Sequence, residues 1–318
     1  MARIISISMT GLVISILMGV FYNIMMGHSG SDFNNNVASI YGSSIGYLGG
    51  EDNSNIIQLI TNEAHYYFWL GVLYSIFDDY ALITKGITIF VTIMLVYPAL
   101  LRAGYLKNKI LLLPILFVLF MHPRFLDLVL GNIRSASALV LFFYALRAKN
   151  TKIRNLSLIT APTFHFGVMA LVVLYVVYLN KEKLIGRWSQ PKFLTFMLAI
   201  MPSILVVAAK ILFPDRGVSG WEGGMAYTIS VLLITFYTFF IGWQYADKKY
   251  VFLSLGVISL VAWGALIDYS TMRYFSFFFP CFAMAILEYY RKPQILLITL
   301  VGFASFGLVS HSTWLLSL

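Results

Sequence analysis

In the stretch GNIRSASALVLFFYALRAKN (131–150), Arg134 stands at the mouth of an apolar run that closes with Arg147 and Lys149. A guanidinium stays charged at any physiological pH, and its planar fork grips phosphate or carboxylate oxygens in pairs. Further along, LITAPTFHFGVMAL carries His165 just after Pro162, and an imidazole there can take a proton from a hydroxyl or donate to a phosphate oxygen. Residues of the same kinds recur as Arg124 and Asp127 in MHPRFLDLV, as Arg216, Trp221 and Glu222 in PDRGVSGWEGG, and as Asp268, Arg273 and Tyr274 in IDYSTMRY. Such a set supplies cations for a developing anion, bases for a hydroxyl and an indole for stacking. Plainer readings stay open beside these. Arg134 snorkels or pairs with Asp127, seven residues back on the same helical face. His165 donates to a carbonyl that Pro162 leaves free. Arg273 pairs with Asp268, Arg216 with Asp215 and Arg124 with Asp127, while Trp221 anchors at an interface.

These residues sit in a chain of 318 residues that is 60% hydrophobic and only 11% charged, with a mean hydropathy of +0.83. Soluble domains carry roughly 25% charge, so the composition points to a membrane protein. Ten apolar stretches stand out, at 4–26, 83–101, 110–121, 128–146, 155–179, 193–213, 226–245, 250–267, 274–289 and 294–311. Most approach the ~20 residues that a helix needs to cross a bilayer core. Backbone groups in lipid must be satisfied internally, so the expected fold is all-α, a single polytopic bundle over 1–318. The first stretch is too long for a signal h-region and lacks a small-residue cleavage site, so it is read as a helix. Cys281 is the only cysteine, which excludes an intrachain disulfide and a thiolate metal cluster. No internal repeat, low-complexity tract or nucleotide-binding loop is present.

Charge placement sets an orientation. With the N-terminus cytoplasmic, Arg3, Arg102, Lys107, Lys109, Arg147, Lys149, Lys152, Arg154, Lys181, Lys183, Arg187, Lys192, Lys248, Lys249, Arg291 and Lys292 all fall inside. Against these sixteen stand only Glu182, Asp247 and Glu288, a balance of +13; the other six cations and ten acids give −4, and the total is the chain's +9. The basic excess is therefore a topology signal and implies no nucleic-acid partner. Two basic loops, RAKNTKIR and NKEKLIGRWSQPK, flank 155–179, which is either a hairpin broken near Pro162 or a single crossing followed by an interfacial helix. Arg134, His165, the 27–82 segment and the 214–225 loop fall on the outer side. Within 27–82 the first half is polar and rich in Gly, Ser and Asn; the second, NEAHYYFWLGVLYSIF, has the spacing of a short amphipathic helix.

NEAHYYFWLGVLYSIFDDYALITKGI resembles the early part of the bacterial EpsG-type, Wzy-like polysaccharide polymerases. NIRSASALVLFFYAL followed by LITAPTFHFGVMAL is similar to that family's paired signature, an arginine opening one helix, often as Arg-Gln-x-x-Ala, and a histidine some way downstream. Arg134, Ala138 and His165 occupy the matching positions, whereas Ser135 stands where the family has Gln. DYSTMRYFSFFFP fits the late arginine–tyrosine element with Arg273 and Tyr274. The resemblance implies an inner-membrane bundle of about ten to eleven crossings, GT-C-like, with an outer cavity roofed by 27–82. It implies polymerisation of O-antigen, capsule or exopolysaccharide repeat units carried on undecaprenyl pyrophosphate, at the periplasmic face, with a chain-length regulator as partner. In that reaction the growing glycan leaves its lipid pyrophosphate for a sugar hydroxyl on the next lipid-linked unit. Arg134, Arg273, Arg216 and Arg124 are then pyrophosphate ligands, with Arg134 and His165 catalytic. Asp127, Asp268, Trp221, Glu222 and Tyr274 are candidates for the acceptor sugar or base.

Neither His-x-x-x-His nor Asp-x-Asp occurs, and Asp78-Asp79 is a poor substitute, so no metal or other cofactor is expected. Competing readings are another lipid-linked glycosyltransferase or ligase, a flippase or solute transporter, and an acyltransferase using His165. A transporter would have paired charges near the bilayer midplane and symmetric halves with broken helices.

Overall fold

A computed structural model describes residues 2–26, 64–107, 109–185, 197, 210–211, 225–242, 247–266 and 272–315. Among these the chain is helical throughout and has no strand. The helices are α1 (Ala2–Met26), α2 (Ala64–Phe77), α3 (Tyr80–Gly104), α4 (Leu112–Phe120), α5 (Pro123–Leu130), α6 (Ile133–Arg147) and α7 (Thr151–Phe164), then α8 (Met169–Ile185), α9 (Met225–Gly242), α10 (Lys248–Leu266), α11 (Met272–Ile286) and α12 (Pro293–Leu315). Short 3-10 turns occupy Phe166–Val168 and Leu287–Arg291. Contacts divide the chain into two compact units, Met1–Leu101 with Leu126–Met169, and Arg102–Phe125 with Ala170–Leu318.

Among the described residues two helices are long and apolar enough to cross a membrane, Ile4–Ile24 with mean hydropathy 2.3 and Ala81–Gly104 with 1.8. Leu112–Phe120 and Pro123–Leu130, bent by 54° at their break, make a third if they form one span. Some stretches that read as crossings from hydropathy are shorter as helices. The 15 residues of α6 rise only about 22 Å, because the Gly131-Asn132 turn precedes the helix and Ala148 ends it in an extended conformation. Hydropathy averaged over a window does not see such breaks.

In the first unit α1 runs antiparallel to α3. Ser8 Oγ lies 2.7 Å from Tyr97 Oη near one end, and Asn23 Nδ2 donates to the Lys85 carbonyl at 3.3 Å near the other. Between them Gly19 lets the backbones approach, since a Cβ there would lie 3.0 Å from Ile89 Cα. Gly86 faces open space by the same test. Gly19→Leu should therefore lower stability by about 1–3 kcal/mol through overpacking. Gly86→Ala should raise it by up to about 1 kcal/mol through helix propensity. Thermal unfolding in detergent reads both.

Asp78, at φ 51°, turns the chain between α2 and α3, a left-handed conformation that Asp tolerates better than most residues. Asp79 Oδ1 then accepts from the Leu82 N–H at 3.0 Å in the first turn of α3. Tyr66, Tyr67 and Leu70 of α2 are buried in one cluster with Ile83, and Leu73, Tyr74, Ile87 and Phe164 pack at its margin. The faces of α2 that carry Phe68, Trp69, Ile76 and Phe77 are exposed.

The second unit has a phenylalanine core. Phe278 stacks on Phe282 with centroids 4.9 Å apart and lies 6.0 Å from Phe303 of α12; Phe239 of α9 meets Phe282 at 5.5 Å. His122 is buried there, stacked on Phe279 at 4.3 Å, and its Nδ1 accepts from the Arg124 N–H at 3.2 Å. At the end of α3, Arg102 forms ion pairs with Glu288 and, at 3.9 Å, with Asp247.

Candidate functional site

The α6–α7 hairpin brings Arg134 and His165 to one end of the first unit. The two helices pack extensively and are joined by Ala148, Lys149 and Asn150, with Asn150 Oδ1 capping α7 through the Lys152 N–H at 2.9 Å. Arg134 is the second residue of α6, and His165 directly follows the last residue of α7. About 20 Å of helix separates this end from the basic turn of Arg147, Lys149, Lys152 and Arg154. Charge is thus segregated along the hairpin, with a basic cluster at one end and a single guanidinium with an imidazole at the other.

The local sequence explains how Arg134 is held. Gly131 and Asn132 both donate their N–H groups to the Asp127 carbonyl at 2.9 Å, closing α5. A Cβ on Gly131 would fall 2.9 Å from Asp127 Oδ1, so glycine is needed for the carboxylate to fold over this turn. The Asn132 side chain does not cap α6; its Nδ2 donates instead to Asp127 Oδ2 at 3.2 Å. The first turn of α6 therefore presents its N-terminal partial positive charge without a side-chain cap, with Arg134 inside that turn. The Arg134 side chain is half-buried and donates from Nη1 to the Tyr67 hydroxyl at 2.8 Å, with Cζ 5.8 Å from the ring centroid. Helix terminus and guanidinium together favour an anion with several oxygens.

His165 sits where α7 breaks. Its backbone is extended, at φ −160° and ψ 118°, and its N–H reaches the Ala161 carbonyl at 3.3 Å. Pro162 lies inside α7, and Thr163 Oγ1 donates to the Thr160 carbonyl at 2.6 Å in the same turn. The imidazole lies over Gly167, where a Cβ would fall 2.8 Å from Nε2. Phe164 meets Tyr66 edge-on at 6.4 Å, and Tyr66 meets Tyr67 at 5.6 Å. A continuous aromatic contact therefore links the residue before His165 to the phenol that holds Arg134.

The other candidates fall in both units or outside the described residues. Asp127 belongs to the first unit and is exposed beside Asn132. Arg124 belongs to the second unit, as do Arg273, in the first turn of α11, and Tyr274, half-buried at 6.1 Å from Phe277. Arg216, Trp221, Glu222, Asp268 and 214–224 of the 214–225 loop lie outside the described residues, as does 27–63 of the outer segment. His65, in the first turn of α2, is exposed. Among the described residues no three His, Cys, Asp or Glu side chains come together as a metal site. Tyr67 is a member of the site that sequence reading missed. It stands in an aromatic stretch whose pattern explains a packed face, and nothing in the sequence links it to a residue 67 positions away. Comparison with known proteins finds no matching family model, no matching curated protein and no matching solved structure.

Proposed function

We propose that the chain is a bacterial inner-membrane glycosyltransferase that polymerises lipid-linked saccharide units at the periplasmic face. On this reading it is a polytopic bundle of about ten to eleven crossings. Its substrates are undecaprenyl-pyrophosphate-linked glycans, as both donor and acceptor, and the EpsG-type, Wzy-like resemblance names the class. The observation that carries the reading is the pairing of Arg134, at an uncapped helix start, with His165 at a helix break, on the end of the hairpin opposite its basic turn. By the positive-inside bias the basic turn is cytoplasmic, and the guanidinium end then faces outward. Arg102, Asp247 and Glu288, which charge placement assigns to one side, meet in ion pairs, in keeping with that orientation.

The chemistry follows from the groups. His165 takes the proton of the acceptor sugar hydroxyl, whose oxygen bonds to the anomeric carbon of the growing glycan. The bond from that carbon to the lipid pyrophosphate breaks, and its electron pair leaves on the pyrophosphate. Arg134 and the first turn of α6 balance the charge that develops there. The products are a glycan longer by one unit, still on the acceptor lipid, and free polyprenyl pyrophosphate. Arg273, Arg216 and Arg124 are further cations for the same leaving group, with Asp127, Asp268, Trp221, Glu222 and Tyr274 toward the acceptor.

A second reading, a flippase or transporter, has its own support in one interrupted pair of helices, α4–α5 at the 54° bend. Proteoliposomes given a labelled lipid-linked repeat unit separate the two. Lengthening of the glycan is the expected result. Movement of labelled lipid across the bilayer with no lengthening would replace the polymerase by the transporter.

A further inference from the structure

The hydrogen bond on Arg134 comes from an element that the paired arginine–histidine signature does not include. We propose that Tyr67 is a positioning residue, fixing the Arg134 guanidinium in place for a pyrophosphate; this rests on reading Arg134 as the pyrophosphate ligand.

Three features of the geometry carry it. The Tyr67 hydroxyl accepts from Nη1 at 2.8 Å with Cζ 5.8 Å from the ring centroid, so the guanidinium is held at the hydroxyl edge of a rigid ring. Tyr67 is only 8% exposed, and Leu70 and Ile83 bury with it, so the phenol is held by packing and not by the bond it makes. Tyr66, beside it, reaches Phe164 at 6.4 Å, the residue before His165. A shift of α2 would therefore disturb the cation and the histidine together.

The choice of a phenol has chemical consequences. A guanidinium has five N–H donors, and a neutral oxygen engages one of them without cancelling the charge. A carboxylate in that position would neutralise the cation and compete with the phosphate oxygens. A phenol restrains the long side chain through a ring with two side-chain torsions. Ordering that guanidinium in advance reduces the entropy lost when an anion binds.

The test uses the purified full-length protein in detergent and geranylgeranyl pyrophosphate as probe, with the monophosphate alongside. Wild type should bind the pyrophosphate and Arg134→Ala should lose it. Tyr67→Phe keeps the ring and its packing, and should weaken pyrophosphate affinity roughly tenfold, the scale of one hydrogen bond to a charged group. Its melting temperature should stay near that of wild type and its monophosphate affinity should change less. Tyr67→His, which keeps an acceptor nitrogen, should recover part of the loss and remains informative if the phenylalanine variant fails to fold. In the cycle with Arg134→Lys, the double variant should be no weaker than the worse single one, because the two changes break one interaction. Wild-type affinity in Tyr67→Phe and Tyr67→His, with Arg134→Ala inactive, would reduce Tyr67 to packing and leave the Arg134 site standing. Equal binding by wild type and Arg134→Ala, or none by wild type, would remove the pyrophosphate site and this inference with it.

Discussion

Arg134→Ala should abolish chain extension in practice, lowering the rate at least 100-fold, the usual scale for removing a preorganised group that meets developing charge. Arg134→Lys separates charge from shape. The ammonium keeps the positive charge but presents no planar fork, so it cannot grip two phosphate oxygens side by side while also donating to the Tyr67 hydroxyl. A loss of roughly tenfold or more should remain in the lysine variant, felt mainly at saturating substrate because the interaction strengthens as the pyrophosphate leaves. Extension rates across a range of lipid-linked substrate, with melting temperature as the folding control, provide the measurement. Full activity in Arg134→Lys would mean that charge alone suffices, and the bidentate role would fall.

His165→Ala should cost about 100-fold to 10,000-fold, as expected for a general base in the transition state. Two further results distinguish a base from a histidine that only props the helix end. Added imidazole should restore part of the activity of His165→Ala by filling the space left by the side chain. Gly167→Ala leaves His165 in the chain but puts a methyl 2.8 Å from the present position of Nε2, and should lower activity by displacing the ring. A His165→Ala protein as active as wild type would move the base elsewhere, with Asp127 next in line on the same unit.

How far the sequence could be read depends on what each signal measures. Arg134 and His165 were legible because a guanidinium and an imidazole in a hydrophobic chain need a reason, and membrane insertion makes them costly. Their place at one end of the same hairpin was not legible from spacing alone. It follows from the antiparallel α6–α7 packing, which a short turn at Ala148–Asn150 dictates once both helices are known. A break near Pro162 was one of two readings of 155–179, and α7 ends three residues later at His165, where the backbone turns extended. Hydropathy overstated helix length at 128–146, since Asp127, Gly131 and Asn132 tie a turn that an apolar average does not register. Tyr67 could not have been found from sequence, because an aromatic residue on a helix face is explained by packing until its partner is seen. The arginines of the second unit illustrate the converse. Arg124 and Arg273 were singled out by type and side of the membrane, and neither criterion carries a distance to Arg134.

The most direct measurement is the stoichiometry of the purified protein acting on lipid-linked repeat units in the presence of a chelator. One polyprenyl pyrophosphate should be released for each unit added to the glycan, and both should vanish together in Arg134→Ala protein that still folds. Lengthening of the glycan without release of the lipid pyrophosphate, or release that continues in Arg134→Ala, would contradict a reaction in which this guanidinium holds the leaving group.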